Sequence, residues 1–291
     1  ASAAAEAVLP DAADLFYQPQ YNNRVIDDPR PERRYAAEIN YSRTGETLTL
    51  RFSAYLLAMF DGVETRRYYD DMAGVFCDMA ATRIGRMACG VEAAADIRLS
   101  YRWSLSFAAS AGRYKFIRNP RITVISDVDN SAVDTRAESH MGGCTLGAAP
   151  QLTACAELSY FGPRGWGFRA SAGYAGLRYV EPVPLRRTAR IARQGGITRE
   201  MFDAFTHQER LGDAFTFDAS LFKSFYFGHS RLTASLMLRN LLGDADTVYS
   251  GYESLRVRRI RSGDALYFAP HATRYTYAYP RSFYLTISYK F

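Results

Sequence analysis

The chain has 291 residues, 48% of them hydrophobic, with 21 Tyr, 18 Phe and a formal net charge of +6. No apolar run approaches the roughly 18 residues a membrane-crossing helix needs, so helical spans are excluded. Strands that cross a membrane are not, because their signal per segment is much weaker. The charge comes from arginines scattered through many segments, with no basic stripe and no nucleic-acid-binding module, which reads as solvated loops and interfacial anchors.

Residues 1–14 are Ala-rich but carry Glu6, Asp11 and Asp14 and no early Lys or Arg, unlike a signal peptide. An exported chain with such a start is either processed or a fragment. Residues 1–31 show no period, and Pro10, Pro19, Asn22, Asn23, Pro29 and Pro31 mark an irregular extracellular loop or lead-in. Barrel strands are expected over residues 32–291. Tyr35, Ala37, Ile39 and Tyr41 share one face of a first strand, and a tight turn follows at Gly45. Leu48, Leu50, Phe52, Ala54 and Leu56 then alternate with Thr49, Arg51, Ser53 and Tyr55, the pattern of a strand between an apolar and a wet environment.

A polar, Tyr-rich connection is expected over 61–78, then a strand over 80–98, with Gly85 and Gly90 suggesting a bulge or bend. Past a short turn near Ser100, Trp103, Leu105, Phe107, Ala109 and Ala111 alternate with small polar residues. Residues 119–149 read as a long polar connection. Two further alternating segments, 152–160 and 166–174, are joined by a short turn at Gly162. Residues 180–212 form a third long connection, with a short helix over 197–210 and Thr198 as its N-cap. Segments 215–222 and 232–238 flank a short turn at Gly228, and 243–276 is the fourth long connection.

The terminal strand is the most regular. Phe283, Leu285, Ile287, Tyr289 and Phe291 point one way, and the residues between them are smaller or polar apart from Tyr284. In all, roughly nine antiparallel strands have connections that alternate short and long, as in outer-membrane barrels with short periplasmic turns and long extracellular loops. The Leu/Phe/Ala face would meet lipid and the Ser/Thr/Asp/Arg face the lumen. Tyr41, Phe60, Trp103, Tyr160, Trp166, Phe227 and Phe291 fall near strand ends, as interfacial girdles do. Nine strands beginning from an outer loop do not close in the usual even scheme, and lipid does not tolerate open edges. The expectation is therefore an incomplete chain, part of a larger barrel.

Several stretches carry a family resemblance. They are Tyr68-Tyr69-Asp70-Asp71 followed by Gly90-Val91-Glu92; His207-Gln208-Glu209-Arg210-Leu211 running into Asp213-Ala214-Phe215; Arg239-Asn240-Leu241-Leu242-Gly243-Asp244 with Tyr249 downstream; and the terminal strand. In order and spacing the chain resembles the C-terminal β-barrel portion of TonB-dependent outer-membrane receptors, from about Tyr35 onward. The resemblance implies an all-β fold, a segment of a plugged 22-stranded barrel, and uptake of a scarce nutrient across the bacterial outer membrane. It implies TonB as partner through an N-terminal plug that this sequence lacks. It also implies that Phe283, Leu285, Ile287, Tyr289 and Phe291 form the signal read by the barrel-assembly machinery. Outer-membrane lipid is the surrounding partner.

Catalytic chemistry has no footing. G-x-S-x-G, H-E-x-x-H and the P-loop are absent, and Gly165-Trp166-Gly167-Phe168-Arg169-Ala170 precedes a period-two strand rather than a helix, so it fails as a dinucleotide motif. His140, His207, His229 and His271 occur singly without metal-ligand spacing, so neither a metal nor a cofactor is expected. Cys77, Cys89, Cys144 and Cys155 show no C-x-x-C; Cys77 and Cys144 lie near loops where they could pair. Candidate ligand contacts in the outer loops are Tyr68, Tyr69, Asp70 and Asp71, and the basic run Arg256, Arg258, Arg259 and Arg261, which suits an anionic ligand or a lipopolysaccharide phosphate. Solvated loop faces are the plainer reading of both. The rival functions are a passive porin or smaller closed barrel, and a soluble all-β binding domain.

Overall fold

The computed structural model describes residues 1–20, 22–147, 149–193, 197–243, 246–262 and 265–291. In chain order the strands are Ser2–Val8 (β1), Glu32–Thr44 (β2), Leu48–Asp70 (β3), Val75–Arg98 (β4), Trp103–Phe116 (β5), Arg121–Ser126 (β6), Ala132–Glu138 (β7), Leu152–Phe161 (β8) and Trp166–Gly176 (β9). Arg178–Tyr179 (β10) leads to two short helices, Ala189–Ala192 (α1) and Arg199–Thr206 (α2), and then Arg210–Leu211 (β11). Ala214–Phe227 (β12), Ser230–Arg239 (β13), Val248–Tyr252 (β14), Val257–Ser262 (β15), Ala265–Pro270 (β16), Arg274–Tyr277 (β17) and Ser282–Lys290 (β18) complete the chain.

Ten strands pair side by side in the order β1-β2-β3-β4-β5-β8-β9-β12-β13-β18, every pair antiparallel. Nine of them are the strands read from alternation. The tenth, β1, corrects the expectation of a wholly irregular start: Ser2 pairs opposite Glu38, in mid-strand rather than in an outer loop. Its sequence, SAAAEAV, offers no apolar/polar alternation, so nothing marked it as a strand. The four short turns fall where expected, at one end of the sheet.

Register fixes the two faces. Phe52, Ala93, Ala109, Ala154, Tyr174 and Phe215 lie in one cross-strand row, and Ser53, Glu92, Ser110 and Thr153 in the next. Rows of the first kind form a continuous apolar face, and rows of the second a polar one, because side chains alternate with period two. Gly90 does not bulge. It pairs regularly with Tyr55 and Gly112. A Cβ there would meet the Tyr55 hydroxyl and the Ala111 carbonyl oxygen, both at 2.8 Å. The glycine gives Tyr55 room on the polar face, where its hydroxyl hydrogen-bonds Tyr114.

The bulges lie higher. β3 gains a residue between Met59 and Gly62, and β4 gains one between Ile84 and Ala81; the original register then resumes to Asp70 opposite Val75. Asp61 (φ 62°) and Arg83 (φ 59°) hold the left-handed backbone at these two points. Each extra residue turns the strand's faces over. Ile84, Met79 and Ala81 consequently enter the same buried cluster, although unbroken alternation would separate them. The expected 61–78 loop is thus a tall continuation of one hairpin, closed by a turn at residues 71–74.

The core sits above the sheet's long-loop end. Tyr68, Met79, Ile84 and Phe116 of the main strands, Ile122 and Val124 of β6, Met141, and Val183 and Leu185 form one buried cluster. The expected polar connection at 119–149 supplies β6, whose Ile122, Val124 and Ile125 are fully buried and which pairs with β4. Burial on both faces removed the alternation that would have announced it. On the opposite face, Tyr17 and Ile26 of the lead-in cover Ala80 and Ile125. Helix α2 is the expected one, with the Thr198 hydroxyl accepting from the Met201 N–H, but it ends at Thr206. Cys77 and Cys144 pack at the same cluster as free thiols, as are Cys89 and Cys155.

Candidate functional site

Four of the eight candidate loop residues form the attachment points of the outer loops. At the hairpin tip, Asp70 accepts from the Met72 and Ala73 N–H groups at 2.9 and 3.0 Å, shaping the turn that Gly74 (φ 74°) completes. The same carboxylate takes the Tyr68 hydroxyl at 2.9 Å and a two-pronged pair from Arg190 of α1. Asp70 is 3% exposed and Tyr68 7%. Burial pushes the Asp70 pKa up, but Arg190, the Ala73 N–H and Tyr68 outweigh it, and the carboxyl titrates below its ordinary range. Burial raises the Tyr68 phenol. Asp71 faces the other way and binds Arg256 at 2.8 and 2.6 Å, with the Val257 N–H at 3.0 Å. Arg256 lowers its pKa and also lies 4.8 Å from the Tyr69 ring centroid. Tyr69 itself donates to the Gly74 carbonyl.

These contacts tie the hairpin tip to the third and fourth long connections. Further arginines tie those two to each other. Arg187 and Glu253 form a buried two-pronged pair, 2.7 Å on each arm, and Glu253 also accepts from the Val183 N–H. Arg186 donates to the carbonyls of Ser254 and His271, and Arg178 to those of Gly212, Val248 and Tyr249. Burial lowers the pKa of Arg186, whereas for Arg187 the Glu253 carboxylate outweighs burial and raises it. Sequence reasoning passed over Arg178, Arg186, Arg187, Arg190 and Glu253. The cluster Arg186-Arg187-Thr188-Ala189-Arg190 was visible, but no spacing rule separates a carbonyl-binding arginine from a solvated one.

Arg258, Arg259 and Arg261 are placed differently. They stand exposed on the β15–β16 hairpin, with no ion pair to any described carboxylate. Arg258 borders a cavity of about 650 Å³ that also receives His207, Glu209, His271 and Arg274. Two histidines read as solitary in sequence therefore border one cavity, but among the described residues no three His, Cys, Asp or Glu side chains are grouped so that they could hold a metal ion.

Beneath these loops, the polar face of the sheet borders a second cavity of about 640 Å³. Arg51, Ser53, Glu92, Ser110, Thr153 and Thr216 line its wall, and Arg178 and Tyr249 close it from above. Charged and hydroxyl side chains facing a cavity below packed loops can bind and pass a polar solute. At the far edge, Phe283, Leu285, Ile287 and Tyr289 continue the apolar face, opposite Leu238, Leu236, Ala234 and Leu232. All four, with Phe291, are more than half exposed.

No protein-family model matches the sequence, and no curated protein matches it. Among solved structures the chain is similar to the ferric-catecholate import receptor Fiu from E. coli K12, at TM-score 0.53 and 14% identity, over 98% of this chain and 32% of that one. It is similar to the outer membrane transporter YddB from Escherichia coli, at TM-score 0.52 and 12% identity, over 89% and 33%. It is also similar to the copper transporter OprC, at TM-score 0.50 and 16% identity, over 83% and 31%. The chain spans about a third of the length of each. At these identities the likeness is one of fold. Among the described residues the sheet stays open, with β1 and β18 at its two edges.

Proposed function

We propose that this chain, which has the fold of the C-terminal barrel portion of TonB-dependent outer-membrane receptors, forms the barrel wall and outer loops of a receptor for a scarce nutrient. The observation that carries this reading is the sidedness of the sheet. One face is continuously apolar, and the other, carrying Arg51, Ser53, Glu92 and Ser110, borders a cavity under loops locked together by arginines. In this reading the apolar face meets outer-membrane lipid and the cavity belongs to the lumen. The chain's own work is binding and passage, with no covalent chemistry. TonB acts through a plug domain supplied outside these residues, and β18, with Phe291 behind it, is the strand the barrel-assembly machinery reads.

Ligand contact falls to the exposed Arg258, Arg259 and Arg261, while Tyr68, Asp70, Asp71 and Arg256 hold the loops that present them. Arginines without a carboxylate partner among the described residues suit an anionic ligand. The test has two arms. In cells whose gene for this chain is disrupted, uptake of the limiting nutrient should fail, and in intact cells that uptake should stop when the proton gradient is collapsed. Uptake that persists without the gradient points to a passive porin. A single cysteine at Arg259 (R259C, with the native cysteines replaced) should react with an impermeant label on intact cells; labelling only after permeabilisation would invert the topology.

A further inference from the structure

Of the exposed arginines on the β15–β16 hairpin, Arg258 borders the cavity of about 650 Å³ that His207 and His271 also line. Its walls come from three separate connections: the end of α2, the start of β15, and the turn 270–274 between β16 and β17. Each wall is pinned. The His207 N–H closes α2 by donating to the Asp203 carbonyl at 2.8 Å. β15 is held through Asp71, which accepts from the Val257 N–H at 3.0 Å. The His271 carbonyl accepts from Arg186 at 3.1 Å, and Thr273 and Tyr275 donate their hydroxyls to the two oxygens of Glu209, at 2.7 and 2.5 Å. The cavity's shape is therefore set before a ligand arrives, which spares the cost of ordering it on binding.

The charged groups on the lining differ in what they have left to bind. Glu209 holds the two hydroxyls, and Glu253 is paired with Arg187 through both of its oxygens. Arg186 spends its guanidinium on two backbone carbonyls. Arg258 and Arg274 are exposed and have no ion pair to any described carboxylate. The His207 and His271 imidazoles have no hydrogen-bond partner among the described residues. Ala204, Pro270 and Ala272 add apolar surface to the same cavity.

Two guanidinium groups and two imidazoles, all able to donate and brought in by different connections, suit an acceptor with oxygens in several directions. A carboxylate offers two coplanar oxygens, which one guanidinium fork can saturate. A phosphate monoester offers three oxygens around a tetrahedral centre and close to two negative charges at neutral pH. The cavity is far larger than a bare phosphate ion and falls in the size range of small-molecule sites, so room remains for an organic body. We propose that this cavity binds phosphate monoesters of small organic molecules. Arg258, Arg274 and the N–H groups of the two imidazoles hold the phosphoryl oxygens, and the organic part lies against Ala204, Pro270 and Ala272. This rests on the receptor reading above and narrows it: the group by which the nutrient is recognised is a phosphate ester.

The test uses the receptor purified in detergent from outer membranes. A wild type recovered in that fraction that does not bind the phosphate probe sinks the phosphate-ester assignment alone; a wild type absent from the fraction sinks the receptor reading on which the assignment rests. Calorimetry compares phenyl phosphate with benzoate, which keeps the ring but carries a planar carboxylate, and with phosphatidic acid in the same micelles. The proteins are the wild type, R258Q, R274Q and H207A/H271A. Phenyl phosphate should bind the wild type about tenfold more tightly than benzoate, or better. R258Q and R274Q should each weaken it by about tenfold, and H207A/H271A by about threefold or more. R102Q, in a short turn at the other end of the sheet, serves as control and should bind like the wild type. Retained β-sheet circular dichroism and heat-modifiable mobility show that a variant is folded. Unchanged binding in any of the three folded variants overturns the proposal. So does equal wild-type affinity for benzoate, which would mark a generic anion surface, or tighter binding of phosphatidic acid, which would mark a lipid site.

Discussion

Removing Arg187 should open the joint between the third and fourth long connections. Its side chain is 1% exposed and that of Glu253 4%. An Arg187→Met substitution fills similar volume but leaves Glu253 buried, with the Val183 N–H as its remaining hydrogen bond. Stranding one partner of a buried pair costs about 3–5 kcal/mol. Local opening would then speed amide exchange around Val183 and Glu253 by about a hundredfold or more. Hydrogen exchange with mass spectrometry on the receptor in detergent reads this directly. A second change supplies the control. Adding Glu253→Gln replaces the stranded charge with a neutral group that still accepts the Val183 N–H, so the double variant should exchange more slowly than Arg187→Met alone. If single and double variants exchange alike, or if neither departs from the wild type, the buried charge is not what holds the joint.

The hairpin-tip pairs give a pH dependence with a definite sign. Asp70 and Asp71 both titrate below the ordinary 3.8 in the folded chain. Their contribution is therefore complete above that value and is lost as pH falls through the lowered folded values. Proteolysis of the outer loops should stay constant from about pH 8 to 5 and rise below about pH 4; loosening near neutrality would contradict the pairing. Leu236 and Ser235 are adjacent but face opposite sides. Leu236→Arg should destabilise the folded barrel in lipid vesicles by about 2–4 kcal/mol, and Ser235→Arg by much less; equal costs would refute the face assignment. Gly90→Ala should cost about 1–3 kcal/mol, because the new methyl meets backbone as well as the Tyr55 hydroxyl. Adding Tyr55→Phe should recover only part of it, and full recovery would place the clash on the hydroxyl alone.

Alternation made the sheet legible wherever one face is apolar and the other polar. Nine of the ten paired strands, their four short turns and both faces follow from period two alone. The rule failed where that contrast disappears. β1 has alanine at four of its seven positions and no alternation, and β6 is apolar on both sides because it packs between two layers. The candidate site was legible by residue type but not by role. Tyr68-Tyr69-Asp70-Asp71 stands out in sequence as a candidate ligand contact, yet a sequence does not show that Arg190 and Arg256 arrive from over a hundred residues away to occupy both carboxylates. Arg258, Arg259 and Arg261 read identically to Arg256 in sequence. Only the fold separates the arginine that holds Asp71 from those left without a described acidic partner.

The paired bulges at Asp61 and Arg83 have an engineering meaning. Because each strand inverts there and the register then recovers, the hairpin above can be exchanged between barrels as a module, provided both cuts are made on the same side of the bulges. A graft that carried Asp61 without Arg83 would arrive one residue out of step. Met79 would then exchange places with Asp78 while Tyr68 kept its side, and the hydrophobic cluster would be split between the two faces. The two left-handed residues work as a coupling: they let the outer half of this hairpin vary in sequence without rewriting the pattern of the half below.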